Sequence, residues 1–369
     1  MINIERVDVR RLAVPLTRPY KLAFGPVTQY DTILVDVTGS DGQRGFGEAT
    51  LLTGYTDETI DDSERLAYDV AAGLPGIEVA EACSRMRVLG ERAPFVATAF
   101  HTALDMASGY PLLAPKERLR VPILGLLQGD DEAQLSDAFE RLRASGYRTV
   151  KVKIGFDVDV DLRTLAAVQS VVAGRAAIRI DANQGYTAAE AIAFVRAADP
   201  ADVELFEQPC AAEDWDAHML VAEAAARRGL PLMLDESIYA ITDSERAARE
   251  RACAYLKVKL MKFVAVDALA AAIERIRALG MQPVLGNGVA CDVSCWMEAC
   301  VAARHIDNAG EMNGFLKADR MLFAHPLALE NGDIVVETGV PALDDDALAF
   351  HTRAHRTFHR ESAGCRTPS

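Results

Sequence analysis

The sequence predicts an α/β protein whose main part is a TIM-type (β/α) barrel. Three observations predict it: short apolar runs alternate with helical patterns from residue 121 onward, the runs number eight, and five of them end in a charged residue. Examples are TVKVK at 149–153, IRID at 178–181 and VELFE at 203–207. Such runs between helices are typical of buried parallel strands. Eight units over about two hundred residues is the size of a closed barrel.

Residues 1–118 have a different pattern and are predicted to form an α+β capping domain. Apolar and polar residues alternate at 2–14 and 31–38, and a Ser-Asp-Gly turn at 40–42 leads into a third run at 44–49. These features predict an antiparallel meander.

Three helices and two loops complete the predicted capping domain. Helical spacing is present at 56–72, 77–89 and 95–108. The stretches 18–30 and 51–58 contain Gly, Pro, Thr and aromatic residues. We expect them to be long surface loops that close over a neighbouring site.

The barrel is predicted to occupy residues 119–322 and to be followed by a C-terminal segment at 323–369. Strands are expected to start near residues 121, 149, 177, 203, 231, 255, 282 and 305. Helices are expected at 132–144, 158–172, 187–198, 216–228, 243–251, 266–279 and 294–303. Because the last helix, at 318–322, is short, we expect a (β/α)7β-like barrel. The run at 327–335 and a His-rich helix at 345–361 are expected to return to the capping domain and complete it.

Composition and charge limit the functions that the chain can have. It has 369 residues, half of them hydrophobic, which is enough to bury a large core. Lysine and arginine number 39 against 54 aspartate and glutamate, a net charge of −15, so the protein repels nucleic acid and anionic membranes. The seven cysteines show no CxxC spacing, which argues against a disulfide framework or a structural zinc site. With no signal-peptide features and no membrane-spanning stretch, we expect a cytoplasmic protein.

Three carboxylates end consecutive strands of the predicted barrel: Asp181 in IRIDAN, Glu207 in LFEQP and Asp235 in LMLDES. The C-terminal ends of barrel strands meet on the face that carries the active site. Three oxygen ligands without Cys or His suit Mg²⁺, with Mn²⁺ as the alternative. The sequence therefore predicts a divalent metal site here.

Two pairs of lysines flank these acids, Lys151 and Lys153 at the end of strand two, and Lys257 and Lys259 at the end of strand six. We expect one lysine of each pair to point into the barrel. Strands two and six are opposite each other in a ring of eight, so Lys153 and Lys259 can transfer protons on both faces of one substrate carbon. A nearby metal ion and a second ammonium are expected to lower the lysine pKa toward that of a useful base, and the metal neutralises an enediolate. Lys262 is expected to extend to solvent.

The residues at these positions resemble the enolase superfamily, specifically its muconate-lactonizing branch within the mandelate racemase/muconate lactonizing enzyme family. The matching motifs are KVK at 151–153, DANQGY at 181–186, FEQP at 206–209, DES at 235–237, KVKLMK at 257–262 and, in the capping segment, GFGEAT at 45–50. The resemblance covers nearly the whole chain.

This resemblance implies roles for individual residues. Asp181, Glu207 and Asp235 bind Mg²⁺, and Lys153 and Lys259 form the acid/base pair. Further residues are implied to support the site or contact substrate: Lys151, which tunes Lys153 or contacts the substrate carboxylate, Asn183, Glu236, Asn287, Glu311 and, in the two lid loops, Lys21, Phe24 and Tyr55. A homo-oligomer is also implied.

Strands seven and eight limit the comparison with individual branches. The mandelate racemase branch has a catalytic histidine at strand seven, where this chain has Asn287 in LGNGVA, which favours the two-lysine branch. The segment GNGVACDVSC departs from the strand-seven pattern expected of cycloisomerases and dipeptide epimerases. Glu311, in GEMNGFL, matches the branch at strand eight, where the Asp-x-Asp of dipeptide epimerases is absent. These residues therefore do not predict which substrate the enzyme uses.

The resulting hypothesis is a Mg²⁺-dependent isomerase that removes and returns the proton next to a substrate carboxylate, as a racemase, epimerase or cycloisomerase. A dehydratase of a β-hydroxy carboxylate uses the same residues and is the first alternative. A Schiff-base barrel enzyme that uses Lys153 or Lys259 as nucleophile and a non-catalytic barrel are alternatives of other classes. The partner expected in each catalytic case is a small-molecule carboxylate.

Overall fold

A computed structural model describes residues 1–22, 25–52 and 58–360, without the side chains of residues 21, 22 and 25. It confirms the mixed α/β class: a β-rich N-terminal part stands beside a seven-stranded parallel sheet. Among the described residues, no helix is both long and apolar enough to cross a membrane.

The capping domain is a four-stranded antiparallel sheet covered by helices. Its strands are β1 (Ile4–Leu22), β2 (Gly25–Gly39), β3 (Arg44–Leu51) and, from the far end of the chain, β14 (Thr352–His359), in the order β14-β1-β2-β3. Its helices are α1 (Ile60–Ala72), α2 (Val79–Gly90) and α3 (Pro94–Ala107). The close packing of α3 on β3 requires Gly45 and Gly47, because a Cβ at either position overlaps the backbone of α3.

Two predictions for this domain were wrong. Within the predicted loop at 18–30, the described residues 18–22 belong to β1 and 25–30 to β2, with Tyr20 paired to Val27, because strand pairing resumes beyond the Pro residues that suggested a loop. The His-rich stretch is helical only in α12 (Asp345–His351); it continues as β14, which pairs with β1. The helical spacing of His351, His355 and His359 is therefore coincidental.

The barrel sheet consists of parallel strands that follow one another in sequence. They are β5 (Gly125–Leu126), β6 (Thr149–Lys153), β7 (Ala177–Asp181), β8 (Val203–Glu207), β9 (Leu232–Leu234), β10 (Tyr255–Val258) and β11 (Gln282–Leu285). The helices of this region are α4 (Glu132–Ala144), α5 (Val158–Val172), α6 (Ala188–Ala197), α7 (Trp215–Arg228), α8 (Ile241–Glu250), α9 (Leu260–Phe263), α10 (Val266–Ala278) and α11 (Asp292–His305). Adjacent order places all C-terminal strand ends on one face.

The eighth strand is shorter than predicted. Helix α11 extends to His305, where the strand was expected to start, and the ring closes through a parallel bridge between Ile123 and Gly310. Glu311 N donates to Leu285 O over 3.0 Å and Gly310 N to Pro122 O over 2.9 Å. A 3-10 turn at Gly314–Lys317 stands in place of the last predicted helix.

The C-terminal segment returns to the capping domain only in part. Strands β12 (Ala328–Glu330) and β13 (Asp333–Val336) form a small antiparallel sheet with β4 (Leu119–Pro122), the strand that leads into the barrel. The expectation that 327–335 joins the capping domain was therefore wrong, whereas α12 and β14 of the same segment do contact β1.

Candidate active site

The C-terminal ends of the barrel strands surround a cavity of about 270 Å³. Four of the five charged groups expected at its centre line it, and the fifth, Glu207, lies 2.8 Å from the lining residue Lys151. The capping domain contributes Tyr20, Thr50, Leu52 and Phe95 to the opposite wall. The cavity therefore lies between the two parts of the molecule.

Both lysines of each pair point into the barrel, so the expectation of one inward lysine per pair was wrong. Residues i and i+2 of a strand lie on the same face, and the two pairs form two levels. At the lower level, Lys151 Nζ lies 2.8 Å from oxygens of Asp181, Glu207 and Glu311. Lys257 Nζ contacts Glu311 and lies 3.1 Å from Glu207 Oε1.

At the upper level, Lys153 and Lys259 each pair with a different carboxylate. Lys153 Nζ donates to Asp181 Oδ2 over 2.7 Å, and Lys259 Nζ donates to Asp235 Oδ2 over 2.9 Å. Strand β6, which carries Lys153, is separated from β10, which precedes Lys259, by the three strands of the acids. The two ammonium groups therefore approach the cavity from opposite sides of the carboxylates.

The electrostatic environment keeps most of these groups charged. Burial opposes ionisation of Asp181, but Lys151 and Lys153 outweigh it and lower its pKa to about 2. Burial also opposes the charged forms of Lys153 and Lys259, but the facing carboxylates, Asp181 and Asp235 first, raise the pKa of both lysines above the ordinary value. The lowering of the lysine pKa that a bound divalent cation would cause stays a prediction.

Mg²⁺ fits this site by the chemistry of its donors. The acids of β7, β8 and β9 offer only oxygen, their side chains are at most 6% exposed, and Asp181 and Glu207 are direct neighbours in the sheet register. Glu207 Oε2 accepts no hydrogen bond from the described residues, although Lys151 Nζ lies 2.8 Å away.

The three acids are nevertheless more widely spaced than a coordination sphere. Among the described residues, three potential metal-ligating atoms lie within 4.8 Å of one another in Cys83, His101 and Asp105. In the same part of the chain, Asp181, Glu207 and Asp235 do not form such a group. The ammonium groups of Lys151 and Lys259 stand against the strand-end acids instead.

The predicted supporting residues surround this centre. Asn183 contacts Lys153 and donates to Glu236 Oε1 over 3.1 Å. Burial, and then the charge of Asp235, raise the pKa of Glu236 to about 7. Asn287 lines the cavity after β11, and Glu311 binds Lys151 and Lys257.

Three predicted substrate contacts cannot be placed in the same way. Phe24 and Tyr55 lie outside the described residues, as does most of the predicted lid at 51–58. Lys21 belongs to β1, but its side chain is not among those described.

Sequence analysis missed Lys262 and Gln208. Lys262, expected at the solvent, is fully buried; its Nζ donates to Asp235 Oδ1 over 2.8 Å, and burial lowers its pKa to about 8. The four-residue helix α9 returns Lys262 to the same carboxylate that Lys259 binds, a spacing visible in KLMK. Gln208 accepts from the backbone N of Asp235 over 2.8 Å and donates to Ser237 Oγ over 2.8 Å, so it holds the Asp235 loop.

Both parts of the chain match known families. Residues 6–127 match the mandelate racemase/muconate lactonizing enzyme N-terminal domain, and residues 134–340 match the enolase C-terminal domain-like family. The chain is 32% identical to the L-Lys-D/L-Arg epimerase of Methylococcus capsulatus, over 71% of this chain and 76% of that protein. It is 30% identical to muconate cycloisomerase 1-2 of Acinetobacter lwoffii, over 78% and 80%.

A solved structure shares the whole fold. The dipeptide epimerase of Cytophaga hutchinsonii, in complex with Mg and the dipeptide D-Ala-L-Val, superposes with a TM-score of 0.86 over 97% of this chain and 100% of that one, at 20% identity. At that identity the likeness concerns the fold.

Proposed function

The chain belongs to the mandelate racemase/muconate lactonizing enzyme family of the enolase superfamily, and we propose on that premise that it is a Mg²⁺-dependent isomerase of small carboxylic acids. The enzyme removes the proton from the carbon next to the substrate carboxylate and returns a proton to the same carbon or to a conjugated one. Racemisation, epimerisation and cycloisomerisation all follow from this pair of steps.

One observation supports the proposal most directly: a partly buried lysine, Lys153, and a buried one, Lys259, reach the cavity from opposite sides of three acids. Lys153 is held by Asp181 and Lys259 by Asp235. A carbon held between the two ammonium groups has one lysine on each face, so one lysine takes the proton and the other donates its replacement. We therefore assign Lys153 and Lys259 as the acid/base pair.

The remaining polar residues are proposed to hold the substrate and the metal. Asp181, Glu207 and Asp235 would hold Mg²⁺, which would supply positive charge beside the substrate carboxylate. Lys151 fixes the carboxylates of Glu207 and Glu311 from below. The cavity lies between barrel and cap, a position that reduces the access of bulk water to the proton-transfer step.

The substrate class is proposed from the cavity and the relatives together. Tyr20, Leu52, Phe95 and Met261 form an apolar wall away from the charged centre. Such a wall accommodates the part of a substrate that is remote from its carboxylate. The proteins named above are an L-Lys-D/L-Arg epimerase, a muconate cycloisomerase and a dipeptide epimerase, so N-acylated amino acids, dipeptides and unsaturated diacids are the first candidates.

Deuterium exchange tests the proposal. Dipeptides, N-acyl amino acids, muconates and hydroxylated prolines are incubated with enzyme and Mg²⁺ in D₂O, and loss of the α-proton signal is followed by NMR. We expect exchange with at least one of these acids, no exchange after chelation of the metal, and recovery when Mg²⁺ is returned.

Lysine variants identify the acid/base pair. K153A and K259A should each abolish net turnover, and at least one should retain exchange of one epimer. K116A, at an exposed position, serves as the control. Wild-type turnover in either variant would refute that lysine's role, and trapping of substrate on lysine by borohydride would favour the Schiff-base enzyme instead.

Three further properties stay predictions. They are the division of the chain at 118/119 and 322/323, a homo-oligomeric state and a cytoplasmic location. Size-exclusion chromatography with light scattering checks the second, and cell fractionation checks the third.

A further inference from the structure

Each of the two assigned lysines lies next to a loop that is held by one buried carboxylate from a neighbouring helix. Glu298, on α11, accepts hydrogen bonds from the backbone after Lys259, and Asp161, on α5, accepts them from the loop after Lys153. Both carboxylates are outside the cavity lining, and the proposed function assigns no role to either.

Glu298 binds two backbone N–H groups with two different oxygens. Its Oε1 accepts from Leu260 N over 2.8 Å, and its Oε2 accepts from Asn287 N over 3.0 Å. Glu298 is buried, with only 1% of its surface exposed. Burial raises the pKa of this carboxyl to about 7, while the two N–H donors favour its ionised form.

The N–H of Leu260 has no acceptor within its own helix. Lys259 is the N-terminal flanking residue of α9 and makes no side-chain cap, and the first N–H groups of a helix lack an intrahelical partner. Glu298 supplies the acceptor from outside. It therefore fixes the backbone directly after Lys259, in the same turn that brings Lys262 back onto Asp235.

Asp161 has the same relation to Lys153. Its Oδ2 accepts from the successive N–H groups of Gly155, Phe156 and Asp157 over 2.9–3.1 Å, and from the Tyr186 hydroxyl. Three consecutive N–H groups that converge on one anion fix the path of a loop. Gly155, two residues after Lys153, is packed so tightly against Ala182 that a Cβ there overlaps its backbone.

We propose that Glu298 and Asp161 are positioning residues that each hold one lysine of the pair, so that each acts on one face of the substrate carbon. This inference rests on the proposed function. Within the described residues, the side chain of Glu298 accepts hydrogen bonds from the segments that follow β10 and β11, and that of Asp161 from the loops after β6 and β7. Loss of one carboxylate should therefore displace one lysine and leave the other in place.

The test compares E298A and D161A by exchange of the α-proton in D₂O, starting separately from each epimer of a substrate found in the screen. In E298A we expect exchange to fall by about tenfold to 100-fold for the epimer whose exchange K259A abolishes, since displacement by about 1 Å has effects of that size. The other epimer should exchange within about threefold of wild type. D161A should show the reverse pattern, matched to K153A.

A second measurement and a second variant keep the test decisive. Hydrogen exchange followed by mass spectrometry should show faster exchange at residues 255–263 in E298A only, and at 150–157 in D161A only. If E298A does not fold, E298Q replaces it, because a single amide oxygen cannot accept from both Leu260 and Asn287.

The outcomes separate the inference from the function it rests on. Equal losses for both epimers, or no loss, would overturn the positioning roles while wild-type exchange upholds the isomerase. Absence of α-proton exchange in the wild-type enzyme with every acid in the screen would overturn both. General destabilisation would slow α-proton exchange for both epimers. It would not slow exchange of one epimer in E298A and of the other epimer in D161A.

Discussion

Replacement of Lys151 by methionine removes the ammonium group on which the buried charge balance depends. Lys151 is 2% exposed, and its Nζ lies 2.8 Å from oxygens of Asp181, Glu207 and Glu311. Methionine keeps an unbranched side chain of similar length, so the packing changes little. The three carboxylates lose their common partner, and of the described cationic side chains Lys153 and Lys257 still bind members of the group.

The expected cost follows from the burial of these charges. Removal of one partner of a buried ion pair costs about 3–5 kcal/mol, because the partner is left as a buried charge without compensation. Here one ammonium serves three acids, so we expect K151M to lose at least about 3 kcal/mol of unfolding free energy in the absence of metal. The pKa of Glu311, which Lys151 and Lys257 lower against the effect of burial, should rise in the variant.

Urea unfolding followed by circular dichroism, with chelator and with excess Mg²⁺, measures both effects. Because the acids in K151M lack a cation, Mg²⁺ should stabilise the variant by more than it stabilises the wild type. K116M, at an exposed lysine, should change stability by less than about 0.5 kcal/mol. A loss below about 1 kcal/mol in K151M, or equal stabilisation of both proteins by Mg²⁺, would refute the reasoning.

Three other predictions concern the metal, the pH dependence and the cap. D235N should weaken Mg²⁺ binding at least about tenfold in calorimetry, because it removes a charged ligand; unchanged affinity would exclude Asp235 from the site. Burial raises the pKa of Glu48 to about 8 from its ordinary value of 4.5, so the folded state holds a proton that the unfolded state releases, and this group makes stability fall as pH rises from about 4.5 to 8. E48Q should show a flatter dependence of Tm on pH over that interval, and parallel curves would contradict the assignment. G47A should lose about 1–3 kcal/mol in urea unfolding, because its methyl group overlaps the backbone of α3; wild-type stability would show that α3 and β3 can separate freely.

Local pattern was sufficient for most of the fold. Predicted helices at 132–144 and 158–172 coincide with α4 and α5, because amphipathic spacing and an aspartate cap define both the face and the start of a helix. The predictions that failed involve pairing across long distances. Residues 25–30 continue β2 and residues 352–359 form β14 because β1 offers each of them an edge to pair with.

The candidate site shows the same division. The identity of its acids and lysines followed from where each stands at the end of an apolar run, since parallel strands end on one face. Their partners did not: Lys262 was expected at the surface, and its burial against Asp235 depends on the direction in which α9 turns.

The sequence by itself determined the barrel, its cap and the residues at the strand ends, because strand and helix periodicity are local properties of the chain. Only the tertiary structure decided which carboxylate each lysine contacts, how far apart the acids stand, and that Glu298 and Asp161 hold the loops beside the two lysines. Those relations join residues far apart in sequence, such as Glu298 and Leu260, and depend on how helices pack around the sheet.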